Sequence, residues 1–473
     1  MRRAKTFLRY GGFVASVGGA RVAGIAITSL TFPFLVRRLG VEIYGLWSYV
    51  IAVCAFLEII ANPGLTTYTV QQVAALRHAA SDVIWDVTAL RFLSSLIAIG
   101  ALFIVVGFEI NPEIRHLLRW YGVGIFFVNL TGADYLLGAL EMFHARSLLM
   151  VIQQGLYAAG IFVFIRSPKD VIWVPISILV SALLMNLVGW AVLWKQKFRP
   201  QLALHPERWK EIFVPSAHYA VSTLMSSLYH RTGHIVVRWF LGEYALGLYA
   251  AAVRFVDILK NIVNIVLSVL MPRLALSSKS EEDMKRLARF AMEIMAGLSI
   301  PLTVGLISTA HLVVPWVLGA QYGEVVPLMK WMAFYLLTAS AASLFSGTIL
   351  YAMGRHRAYL ASAVAGAVAG VSLFLVLVPW LGLTGACLAF VLGELAVAIV
   401  AYSQIPRGLR GLWKNPLIGV FVIAALVMAL AVKLVVLYST RPLVVVVAGA
   451  CVYAILSGWF IKKWLMEQLR GTP

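Results

Sequence analysis

Five polar residues, Arg254, Asp257, Lys260, Asn261 and Asn264, recur at steps of mostly three and four within an otherwise apolar stretch. On a helix that spacing puts them on one face. Asp257 can neutralise Arg254 or Lys260 but not both, so the stripe keeps one net positive charge. A second stripe, His218, Ser222, Ser226, His230 and His234, recurs at steps of four with Arg231 beside it. His230 and His234 have metal-ligand spacing but no evident third ligand. The sequence therefore predicts a water-facing, protonatable face and no metal. A lone Arg21 lies in the first apolar run, with Gly18 and Gly24 at i−3 and i+3. An ion pair with Glu58 would make it structural. A lone guanidinium at mid-depth must otherwise face water or an anion, and that cavity role is the expectation here. Asp86, Arg91, Asp134, Glu141, Glu293, Lys330 and Glu394 fall nearer the ends of apolar runs and read as structural pairs or snorkelling groups.

The elements that carry these residues follow from composition. Of 473 residues, 61% are hydrophobic and 12% charged, with mean hydropathy +0.89. A soluble chain carries about twice that charge. The apolar surplus must face lipid. About 20 apolar residues make one spanning helix, and the chain holds fourteen such runs. The third run starts at Leu90, or earlier near Ser81. The fourth is interrupted by Asn129, Thr131 and Asp134. The expected fold is an all-α polytopic membrane protein of about 14 transmembrane helices.

Net charge is +19. No contiguous basic domain gathers it, so nucleic acid is not an expected partner. Alternate connections instead carry 24 and 8 of the 39 Lys and Arg residues. The positive-inside rule then places both termini in the cytoplasm. Cys54, Cys387 and Cys451 lie in apolar runs and read as buried thiols. HExxH, P-loop, GxSxG and GxGxxG motifs are absent, and no loop is long enough for a catalytic domain. The chain reads as a non-enzyme without a cofactor.

Residues 39–47, LGVEIYGLW, match residues 241–249, LGEYALGLY, at an offset of 202. Both copies fall at the turn from an odd to an even helix. Six helices separate them, so the two halves share one orientation. This predicts two six-helix lobes in a parallel pseudo-two-fold repeat. The lobes are expected over 1–198 and 199–408, with two extra C-terminal helices over 409–473.

The segment FPFLVRRLGVEIYGLWSYV at 32–50 resembles the first loop of Wzx-type polysaccharide-biosynthesis flippases, which belong to the multidrug/oligosaccharidyl-lipid/polysaccharide exporter superfamily. FLGEYALGLYAAAVRF at 240–255 and MPRLA at 271–275 resemble the start of their second half. The resemblance implies a transporter in the bacterial cell inner membrane that flips a polyprenyl-diphosphate-linked oligosaccharide to the outer leaflet for cell-surface polysaccharide assembly. It implies a cationic cavity with Arg21 and Arg254 at the family's lumen arginines. Arg231, Lys260 and Asn261 are the further cavity candidates, and Glu58, Asp257, His218 and His230 the coupling or structural ones. The partners it implies are the lipid-linked oligosaccharide, membrane lipids, a polysaccharide polymerase and glycosyltransferases. A drug or cation antiporter of the same superfamily is the competing reading, and would want an unpaired carboxylate where helix 1 offers Arg21.

Overall fold

A helix satisfies its own backbone hydrogen bonds, which is what an apolar chain in lipid requires. The computed structural model describes residues 2–75, 80–140, 142–196, 204–277, 280–413 and 415–470. No strand occurs among them. Eight helices among the described residues are long and apolar enough to cross a membrane, and Pro442–Gly458 is a shorter apolar helix. The protein is a multi-pass membrane protein.

Two compact units share the chain. The first comprises Met1–Arg238 and Gly242–Gly247, the second Trp239–Leu241 and Leu248–Pro473. The first is built from α1 (Arg2–Ala61), α2 (Leu65–Ala75), α3 (Ala80–Phe108), α4 (Pro112–Thr131), α5 (Asp134–Ala139), α6 (Phe143–Phe164) and α7 (Trp173–Lys195). It also takes the first stretch of α8 (Trp209–Ser277). The second holds the rest of α8, then α9 (Glu281–Leu318), α10 (Val325–Ala342), α11 (His356–Gln404), α12 (Pro416–Tyr438) and α13 (Pro442–Arg470).

A straight 60-residue helix would be about 90 Å long, three times the ~30 Å hydrocarbon layer. α1 therefore folds back, and it does so at Gly40, whose φ of 77° and ψ of 173° suit glycine alone. α8 turns at Gly242 with φ 85° and ψ −179°. Gly40 and Gly242 are 202 residues apart, so the sequence repeat is also a repeat of backbone conformation. α11 turns at Gly382.

Inside the first unit, α1 packs on α6, α3 and α4. In the second, α9 packs on α10 and α12, and α10 on α11. Gly370, on the ridge formed with Ser362 and Gly366, lies against Gly393, and the Ser362 hydroxyl pairs with that of Ser346 at 2.7 Å. Trp120, Trp173, Trp194, Trp239, Trp316 and Trp380 are exposed, as interfacial anchors must be. Cys54 and Cys387 are buried, but Cys451 is exposed, contrary to expectation. Its run of valines and alanines on α13 turns that face outward.

Candidate functional site

Four helical stretches of the first unit converge on one polar cluster. Glu58 and Cys54 come from the second half of α1, Tyr121 from α4, and Tyr157 from α6. Arg231 comes from α8. Glu58 and Arg231 lie within electrostatic reach of each other, and Tyr121 feels both, together with Cys54 and Tyr157. Trp47 meets Tyr121 edge-on at 5.2 Å. Glu58 remains accessible to solvent although helices surround it. A Cβ added to Gly24 would lie 2.7 Å from Gln154 Oε1. That buried oxygen has no hydrogen-bond partner among the described residues. Glu58 is thus placed with Arg231. The side chains of Arg21, His218 and Ser222 lie outside the described residues. His230 lies against Tyr229, ring centroids 4.1 Å apart, and His234 is buried.

The α8 stripe of the second unit divides by depth. Arg254 and Asn261 are exposed. Between them, Lys260 Nζ donates to Tyr335 Oη at 2.8 Å, and Tyr335 donates to Asp257 Oδ1 at 2.9 Å. Tyr335 is fully buried and stacks on Phe390 at 4.6 Å. Asp257 and Lys260 are therefore joined through a phenol, and the stripe's remaining positive charge is on exposed Arg254. Sequence reading missed Tyr335, which lies in an apolar run of α10 with no spacing to mark it.

At one end of the first unit the two repeated turns meet. A Cβ on Gly45 would overlap the Glu243 carbonyl oxygen and lie 2.9 Å from Gly247 N. A Cβ on Gly247 would overlap the Val41 carbonyl oxygen. Beside this contact, Arg238 donates to both oxygens of buried Glu109 at 2.8 and 2.9 Å. Its guanidinium also lies 4.1 Å from the Tyr49 ring centroid and 3.3 Å from Glu243 Oε1.

The remaining charges hold structure. Asp86 is buried and accepts from the His205 backbone N–H at 2.7 Å and Trp209 Nε1 at 3.0 Å. Asp134 forms a fork with Arg146 at 2.8 and 2.9 Å. Glu293 accepts from Asn415. Arg91 is buried at 6% exposure, packs 4.4 Å from the Tyr135 ring centroid, and donates to Thr66 at 3.2 Å. It stands beside Gly132, where α4 ends, so its charge complements that helix's C-terminal carbonyls. Glu141 lies outside the described residues. Among the described residues, no group of three His, Cys, Asp or Glu side chains is arranged to hold a metal.

Comparisons with known proteins agree with this architecture. A lipid II flippase MurJ in an inward closed conformation superposes with TM-score 0.76 at 16% identity, covering 96% of this chain and 99% of that one. An inward-facing MATE-family multidrug resistance transporter gives 0.64 at 18% identity, covering 85% and 98%. Identities this low establish the fold alone. Among curated relatives, the teichuronic acid biosynthesis protein TuaB of Bacillus subtilis (strain 168) is 24% identical over 63% of this chain. An Escherichia coli (strain K12) protein named for O-antigen transport is 21% identical over 52% of this chain. The matches span 62% and 60% of those relatives' own lengths, less than two thirds in each case. The family model for polysaccharide biosynthesis proteins matches residues 11–278, more than half of the sequence. With its helices, its broken repeats and its buried charges in this arrangement, the chain belongs to the polysaccharide biosynthesis protein family.

Proposed function

We propose that the protein moves a polyprenyl-diphosphate-linked oligosaccharide from the cytoplasmic to the outer leaflet of a bacterial inner membrane by alternating access. Family membership over residues 11–278 carries this reading. A relative named for O-antigen transport and a fold shared with a lipid II flippase support it. Fourteen spans with both termini in the cytoplasm, and two six-helix lobes over 1–198 and 199–408 followed by 409–473, are the topology proposed with it. No catalytic step is proposed, since the work is translocation.

The diphosphate head needs cations in a recess of low dielectric, where charge-assisted bonds are strong. Arg21, Arg231 and Arg254 are the residues assigned to it, with Asn261 offering neutral hydrogen bonds. Lys260 bonds to Tyr335 and so holds Asp257 rather than the ligand. The turn-on-turn contact and the Glu109–Arg238–Tyr49 cluster are the interactions that form and break as that end closes and opens.

Moving one negative charge outward across an inside-negative membrane is downhill by about 2.3 kcal/mol per 100 mV. An emptied cationic recess resets inward with the same field, so membrane potential can drive both half-cycles. Accessible Glu58 favours the rival reading, a proton-coupled drug or cation antiporter. Its placement near Arg231 supplies a counter-charge and weighs toward the anion reading. Export assays on Arg21→Ala and Arg254→Ala test the assignment. Loss of glycan export with normal membrane levels is expected, and full export by both single variants would remove these residues from the mechanism.

A further inference from the structure

Midway along α1, just before the chain turns at Gly40, a groove of about 520 Å³ is lined by Leu30, Pro33, Phe34, Arg37 and Arg38. Its two ends differ chemically. Leu30 is 70% exposed. Pro33 and Phe34 continue that apolar floor one turn further on. Arg37 and Arg38, both exposed, stand at the top. From Leu30 to Arg38 is about 12 Å of helix. The Arg38 guanidinium lies 5.4 Å from the Phe34 ring centroid, and Phe34 is in turn held edge-on by Phe162 at 4.8 Å. The arginine side chain is thus laid along the groove.

The fold does not require this pair of cations. At the repeat offset of 202, Arg37 and Arg38 correspond to Trp239 and Phe240, which are 69% and 52% exposed. The second copy carries ordinary interfacial aromatics where the first carries two guanidiniums. The pair also runs against the charge bias of the chain, being two of only eight Lys and Arg on the side assigned to the exterior.

We infer that this groove is a docking site for the diphosphate head and first isoprenoid units of the carrier lipid at the outer leaflet. The inference rests on the translocation proposed above. An apolar floor topped by cations fits an amphiphile with an anionic head. Guanidinium forks match phosphate oxygens. Two adjacent arginines match a diphosphate in charge better than they match the single negative charge of a phosphodiester lipid.

The test uses the purified full-length protein in nanodiscs with an isoprenoid diphosphate bearing a diazirine on its first isoprene unit. Adducts are mapped by peptide mass spectrometry. Wild type should label peptides containing Leu30–Phe34 or Phe162. Undecaprenyl diphosphate should compete, and phosphatidylglycerol should not. Arg37→Ala/Arg38→Ala should lower this labelling at least ten-fold while the protein stays monodisperse, and Arg37→Lys/Arg38→Lys should fall between. Arg441→Ala, which removes an exposed cation on α13's N-terminal side that has no assigned role in binding, should leave it in place. No labelling of these peptides, unchanged labelling in the double alanine variant, or equal competition by phosphatidylglycerol would overturn the inference. Should wild-type protein label here yet fail to translocate the lipid-linked glycan, the proposed function fails and the groove stands.

Discussion

Gly45 and Gly247 stand backbone against backbone, 202 residues apart in sequence and equivalent in the repeat. Each occupies space that a single methyl group would fill, and what it would strike is carbonyl oxygen rather than a flexible side chain. The same repeat that made these segments recognisable therefore folds onto itself at one end of the first unit. Gly45→Ala and Gly247→Ala should each prevent this close approach. Export should fall severely in both while membrane insertion is retained. Normal export from either variant would show that the close approach is not part of the cycle.

The bends behind that contact are also glycine-dependent. Gly40 and Gly242 hold a backbone region that side-chain-bearing residues enter at a cost of about 1–3 kcal/mol. Gly40→Ala and Gly242→Ala should lower the thermal unfolding temperature of detergent-purified protein by similar amounts, as repeat-equivalent sites should.

Arg238 and Glu109 form a buried fork, with side chains 13% and 6% exposed. Removing one partner of such a pair leaves a buried charge and costs about 3–5 kcal/mol. Arg238→Ala should therefore destabilise the protein strongly. Arg238→Ala/Glu109→Gln should recover part of the loss, and a double-mutant cycle in thermal unfolding measures the coupling. Equal stability of Arg238→Ala and wild type would contradict the assigned pairing.

Tyr335→Phe removes the hydroxyl that joins Lys260 to Asp257. Hydrogen bonds to charged groups contribute about 1.5–3 kcal/mol each. The variant should lose on the order of 3 kcal/mol by denaturant unfolding, with its aromatic stacking on Phe390 preserved. A Lys260→Ala variant tests whether the ammonium serves this network or the ligand. A loss of stability with unchanged substrate affinity is the expected result.

Topology is read by labelling. In a background with Cys54, Cys387 and Cys451 replaced, cysteines placed at the exposed positions Pro112 and Lys169 should react with an impermeant reagent from outside. A cysteine at Arg208 should not. The reversed pattern would invert the proposed orientation.

Much of this was legible in the sequence because lipid imposes one rule on every span. Apolar runs located the helices, and the repeat located Gly40 and Gly242. The interrupted fourth run corresponds to the break between α4 and α5. What stayed hidden depends on partners far apart in sequence. Arg91 looked like a span-end charge, yet it is buried against Tyr135 beside the end of α4. Tyr335 and Gln154 carried no pattern, since a single polar atom in an apolar helix becomes informative only when its neighbour is known. The α8 stripe was legible as one face, but not that Tyr335 would tie Asp257 to Lys260 and leave Arg254 exposed.

In the proposed cycle, membrane potential drives the outward movement of an anionic lipid-linked glycan. This is tested most directly in proteoliposomes at fixed pH, with a potassium–valinomycin gradient setting the voltage and headgroup translocation of a polyprenyl-diphosphate oligosaccharide as the readout. Translocation should rise with an inside-negative potential and persist in Glu58→Gln. Translocation that ignores voltage, follows an imposed pH gradient and is abolished in Glu58→Gln would contradict that cycle.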